Sequence, residues 1–108
     1  MAGNFEYDSE LDALYIYNSL DNEEIMGSIP FGSLVFDISK SGKLVGLEID
    51  NASVFLKIGK EQLSKINSTS LFIRKQGDML MLGYAVILDK KEYNFAYAIP
   101  QKKIAITC

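Results

Sequence analysis

Five carboxylates are the groups in this 108-residue chain whose type and spacing could do chemistry: Asp8, Asp12, Asp37, Glu48 and Asp50. Brought together, their oxygens could hold a divalent cation, or two of them could act as a general acid and base. Kept apart, they have structural work. Asp8 and Asp12 would order a tight turn, Glu48 would sit solvated on a strand, and Asp50 would cap a helix. The spacing Asp8-x-x-x-Asp12 lacks the dense alternating acids and closing glutamate of a calcium loop, which favours the structural reading. No catalytic, cofactor-binding or metal residue is assigned; if a site exists, Asp8, Asp12, Asp37 and Glu48 are its candidates.

Other chemistries are removed by composition. The chain has no histidine, which excludes His-dependent catalysis and His ligation of metals. The eight glycines are scattered singly rather than clustered as a phosphate cradle. The one cysteine, Cys108, is the last residue and has no internal partner, and no basic cluster beside it lowers its pKa. Net charge is −3 and the sequence pI about 4.8. Lysines come in scattered pairs, Lys90–Lys91 and Lys102–Lys103, not as the basic stripe that meets phosphates, so nucleic acid is not an expected partner. The longest apolar run, Met79 to Leu88, is too short to cross a bilayer as a helix, and residues 1–4 show no signal-peptide pattern. The expectation is a cytoplasmic protein with no cofactor and no membrane partner.

The elements that must position these residues are mostly strands. Turn signals recur at short intervals, the pattern of antiparallel hairpins. Strands are expected at residues 5–7, 13–18, 25–29 (ended by Pro30), 33–38 and 43–49, with residues 19–24 a polar loop. Leu14 and Ile16 would share one face of their strand and Tyr15 and Tyr17 the other, and Leu47 and Ile49 would oppose Glu48. Gly42 suits a positive-φ hairpin position. Between residues 52 and 66, Ala52, Phe55, Leu56, Gly59, Leu63 and Ile66 fall at helical spacing, with Gly59 breaking or kinking the helix. Strands follow at 70–74, 79–88, 92–98 and 103–106. The run 79–88 reads as a central strand covered on both faces; a buried helix is the competing reading, and the flanking hairpin signals and the pair Val86-Ile87 favour the strand. The fold class is α+β, mainly an antiparallel β-meander with one short helix near residues 52–66, forming a sandwich or a partly closed barrel in a single domain.

One sheet with one short helix cannot easily cover both faces of residues 79–88, so either the sheet closes into a barrel or sandwich or a second chain covers it, which motivates the expectation of a homo-oligomer or a small protein partner. Tyr93, Phe95 and Tyr97 share one face at period two and are the candidate interface residues. Tyr7, Tyr15 and Tyr17 form a second aromatic group. Ordinary sheet packing is the competing account of both.

Two blocks carry a family resemblance. One is Tyr7-Asp8-Ser9-Glu10-Leu11-Asp12-Ala13-Leu14-Tyr15-Ile16. The other is Val35-Phe36-Asp37 followed by Gly42-Lys43-Leu44-Val45-Gly46-Leu47-Glu48-Ile49 and closed by Ala52-Ser53. Together they resemble the small prokaryotic proteins grouped as domain of unknown function 2283, over about residues 5–53. The family often carries a second Asp two residues after the first, where this chain has Ser39. The resemblance implies no activity and no catalytic residues; some relatives look like antitoxin-type partners encoded beside small toxins. Composition, elements and resemblance together lead us to expect a non-enzymatic interaction or self-association module. The alternative is a small metal- or metabolite-binding enzyme built on Asp12, Asp37 and Glu48.

Overall fold

The computed structural model describes residues 4–18 and 24–100, which form two sheets joined through two short helices. The first sheet contains β1 (Asn4–Asp8), β2 (Ala13–Tyr17), β3 (Ile25–Phe31), β4 (Leu34–Ser39) and β5 (Leu44–Ile49). Its spatial order is β1-β2-β5-β4-β3, with every pair antiparallel. The expected α+β class of mostly antiparallel strands holds, although this sheet is not connected as a meander throughout. From β2 the chain reaches the far edge as β3, then returns by hairpins to lay β5 beside β2, a Greek-key order. The three strands inside that order carry fully buried pairs, Leu14 and Ile16 on β2, Leu47 and Ile49 on β5, and Leu34 and Phe36 on β4.

Pro30, expected to end a strand, lies inside β3. As an edge strand β3 pairs along one side only, where proline is tolerated. Gly42 adopts φ 84° in the β4–β5 connection, as its position implied.

The helical stretch expected near residues 52–66, broken or kinked at Gly59, is two helices, α1 (Ala52–Leu56) and α2 (Lys60–Leu63). Lys57 ends α1 in the left-handed conformation and Gly59 is extended ahead of α2, so the break is complete rather than a kink. Ala52, Leu56, Ile58, Leu63 and Ile66 are buried in the core. Among the described residues no helix is long and apolar enough to cross a membrane.

The second sheet is a true meander of β6 (Ser68–Gln76), β7 (Met79–Leu88) and β8 (Lys91–Pro100). The β7–β8 turn places both Asp89 and Lys90 at positive φ, the type I′ geometry of two-residue hairpins. The apolar run 79–88 is the central strand. Leu82, Tyr84 and Val86 turn inward and are fully buried. The two sheets pack face to face around one apolar cluster and do not close into a barrel.

Coverage of β7 on its outward side is incomplete, contrary to the expectation of two covered faces. Met79, Met81 and Ile87 are only half-buried there. Gly83 is buried because the Phe72 ring lies over it; a Cβ at Gly83 would run into that ring. The polar loop at 19–23, the strand expected at 103–106 and Cys108 lie outside the described residues.

Alanine at Gly83 is expected to lift the Phe72 ring and cost on the order of 1 kcal/mol, with much smaller loss in a Phe72→Ala background. Urea denaturation of the four proteins in this cycle checks it. Equal losses in both backgrounds would show that the ring does not depend on the bare glycine.

Candidate functional site

The first pair of candidate carboxylates is a clasp. Asp8 ends β1, and its Oδ1 accepts the amides of Glu10 (2.9 Å) and Leu11 (3.2 Å), folding the chain into a side-chain-stabilised turn. The turn delivers Asp12 at φ 52°, with only 8% of its surface exposed. There its Oδ1 accepts the Tyr7 hydroxyl at 2.6 Å and the Ser53 amide at 3.0 Å, and its Oδ2 accepts the Ser53 hydroxyl at 2.7 Å. The Asp12 carbonyl accepts the Ala52 amide at 2.8 Å. The amides of Ala52 and Ser53 begin α1 and have no partner within the helix.

The cap therefore comes from 41 residues upstream, not from Asp50 as expected. The cap position itself is Asn51, left-handed and without a side-chain bond. The Asp50 amide goes instead to the Ser33 carbonyl at 2.9 Å.

Burial alone would raise the Asp12 pKa. The hydrogen bonds from Tyr7 and Ser53, with the charge of Lys60, outweigh it and hold Asp12 below the usual carboxylate range. The Tyr7 hydroxyl is pushed up to about 12, first by its burial and then by its bond to Asp12 and the charges of Asp12 and Asp8. Asp12 stays ionised and Tyr7 neutral, so neither is poised for proton transfer near pH 7.

The other two candidates lie on the opposite side of the first sheet. Register places Glu6, Tyr15, Glu48 and Val35 in one outward row, and Asn4, Tyr17, Gly46, Asp37 and Ser28 in the next. Tyr15 and Tyr17 stack with ring centroids 5.2 Å apart. Asp37 Oδ1 accepts the Ser28 hydroxyl at 2.6 Å. Asp37 Oδ2 and the Tyr15 hydroxyl approach Gly46 from two sides, each 3.0 Å from where a Cβ would stand. The Tyr15 pKa is raised by burial first, then by the charges of Asp37 and Glu48.

Thus Asp12 is separated from Asp37 and Glu48 by the sheet itself. Among the described residues no three His, Cys, Asp or Glu side chains stand where they could hold a metal ion. Outside the β1–β2 hairpin, Glu6, Tyr7, Asp8, Ser9, Glu10, Ala13 and Tyr15 line an open depression of about 660 Å³.

The candidate interface residues Tyr93, Phe95 and Tyr97 turn toward the core and are half-buried against it. Phe95 stacks on Tyr84 at 4.9 Å, and Tyr97 meets Phe31 at 5.1 Å and Phe36 at 6.3 Å. The buried Tyr84 hydroxyl finds that of Tyr97 at 3.3 Å. The exposed aromatics are Tyr15 and Phe31 on the first sheet, Phe55 on α1 and Phe72 on the second sheet. Sequence reasoning passed over Ser53 and Gly46 as functional positions. A glycine inside a strand does signal close approach by another group; nothing local to Ser53 signals its distant partner.

Removing the Asp12 side chain strands three donors, the Tyr7 hydroxyl and the Ser53 amide and hydroxyl, so Asp12→Ala is expected to cost about 2–3 kcal/mol and Asp12→Asn less. Because the folded-state pKa is depressed, this stabilisation is present above the unfolded carboxylate value and is lost as pH falls through the folded one. Urea titrations between pH 2 and 6 should show that acid-side loss in the native protein and its reduction in Asp12→Asn.

No curated protein and no solved structure matches the chain. Residues 4–53, which hold the whole five-stranded sheet and end on the Ser53 side of the clasp, match the family described as protein of unknown function (DUF2283), so the resemblance carried by the two sequence blocks holds over this stretch.

Proposed function

We propose that the protein is a non-enzymatic interaction module that self-associates through the outer face of β6–β8. The supporting observation is the character of that face. Phe72 is 42% exposed, Ala96 and Ala98 are exposed beside it, and Met79 and Met81 are half-covered. Register puts all five on one side, around Gly83. One charged side chain stands among them, Arg74 on the edge strand β6 opposite Met81, and Glu92 lies at the far end beside Ile87. A second copy can cover this face in an isologous pairing, with Arg74 on the edge strand left at the rim.

Three strands about 4.8 Å apart and about eight residues long offer on the order of 400 Å², against about 800 Å² per partner in a standard interface. The pairing is accordingly weak and concentration-dependent. The carboxylate alternative finds no support in the geometry, since Asp12 is occupied by the clasp and lies across the sheet from Asp37 and Glu48.

Light scattering from low to high micromolar concentration should show monomer giving way to dimer, and Ala98→Glu should keep the protein monomeric with an unchanged melting profile. A monomer throughout this range overturns the reading. So does isolation from the native host with a different small protein in equal amount, which would put an antitoxin-like heteromer in the second copy's place.

A further inference from the structure

The two methionines on the outer face of β6–β8 differ from Met26. Met26 is half-buried and packs against the apolar core. Met79 and Met81 are half-buried too, but they belong to the outward row of β7 and are not part of that core. They stand two residues apart on the central strand, on the surface that self-association places between two copies.

Their neighbours on the adjoining strands are of two kinds. On β8 they are apolar, Ala98 opposite Met81 and Pro100 opposite Met79. On β6 they are hydrogen-bond donors, Arg74 opposite Met81 and Gln76 opposite Met79, both exposed. Side chains directly opposed in a sheet have Cβ atoms about 5 Å apart, so each donor is within reach of the methionine beside it. A thioether is a weak acceptor and makes little use of such a donor. Its sulfoxide does use one, because oxidation turns a flexible apolar side chain into a polar one.

We propose that Met79 and Met81 form a peroxide-sensitive switch that disperses the self-associated protein when they are oxidised to sulfoxides. The switch rests on the self-association reading of this face. At each methionine the sulfur takes one oxygen atom from hydrogen peroxide: an S–O bond forms, the O–O bond breaks, and the second oxygen leaves with both protons as water. The sulfur loses two electrons and the peroxide gains them. In the free monomer water, Arg74 and Gln76 meet the new oxygens. Under a second copy those oxygens would be pressed against apolar side chains and lose their water. A sulfoxide at Met81 also draws the Arg74 guanidinium in from the rim, where a second copy would have to bury its charge. Because the pairing is weak, free monomer is present to be oxidised, and oxidation then holds it apart.

The test uses the full chain before and after treatment with hydrogen peroxide. Peptide mass mapping locates the added oxygen, and light scattering across the micromolar range gives the dimer constant. Sulfoxide is expected at Met79 and Met81 ahead of Met26. The oxidised protein should dimerise more weakly by about tenfold, the effect of one buried acceptor left unpaired, with its melting profile kept. Methionine sulfoxide reductases should restore the original constant. Met26→Leu should stay sensitive to peroxide, and the double variant Met79→Leu, Met81→Leu should lose that sensitivity. Sulfoxides mapped at both residues with an unchanged dimer constant overturn the switch and leave self-association standing. Oxidation of Met26 as fast as the other two overturns it, as does a peroxide response that survives in the double variant. Collapse of the melting profile on oxidation would mark general damage and overturn it as well. An untreated protein that stays monomeric overturns the self-association reading itself, and the switch falls with it.

Discussion

The Asp12 carboxylate is the interaction on which the rest of the structure turns. It lies at the end of the first hairpin and holds the start of α1, where the chain leaves one sheet for the other. Tyr7 fastens the same carboxylate to β1 from the inner face. Three segments that meet nowhere else in sequence are thereby fixed at one point beside the core. An ionised carboxylate withdrawn from water is tolerable only with its lone pairs occupied. The donors around Asp12 do this, so the residue most able to act chemically by type is spent on architecture.

Much of the architecture was legible in the residues. The alternation of Leu14 and Ile16 against Tyr15 and Tyr17 assigned faces that the sheet keeps, and the length and β-branching of 79–88 identified a central strand. What was not legible is non-local. Nothing in β2 says that its partner is β5 rather than β3, because local pattern records burial and not neighbour. Asp50 looked like a cap because it stood next to the helix, yet Asp12 reaches the same amides through the fold. The stripe of Tyr93, Phe95 and Tyr97 was visible as a stripe, but period two cannot say which face is inside. The opposing set on β8 contains Ala96 and Ala98, and the bulkier row was the one taken into the core. Of the candidate acids, their side of the sheet follows from alternation once pairing is known, and only then does Asp12 part from Asp37 and Glu48.

The two outward surfaces differ in kind. The first sheet shows water a charged, tyrosine-bearing face. The second shows methionine, alanine and one phenylalanine, with Arg74 beside them. Both faces are products of the same rule, since each sheet gives its continuous apolar set to the shared core and keeps the remainder outside. The remainder is what differs, and the stretch that matches the family contains only the acidic one.

The Greek-key return of β5 to β2 also bears on the order of assembly. β6, β7 and β8 are joined by two-residue turns, so their pairing closes almost no loop. Leu14 must find Ile49, and Asp12 must find Ser53, across most of the chain's first half. Loop-closure entropy is spent before such distant contacts return anything, and chains dominated by them fold slowly. The second sheet is thus the part that can form early on local contacts, an order that pulsed hydrogen exchange would read as protection in β7 before β2. Until β2 and β5 meet, the inward row of Leu82, Tyr84 and Val86 has no opposite layer, and the nascent chain carries a bare apolar sheet whose protection is a matter of time rather than of stability.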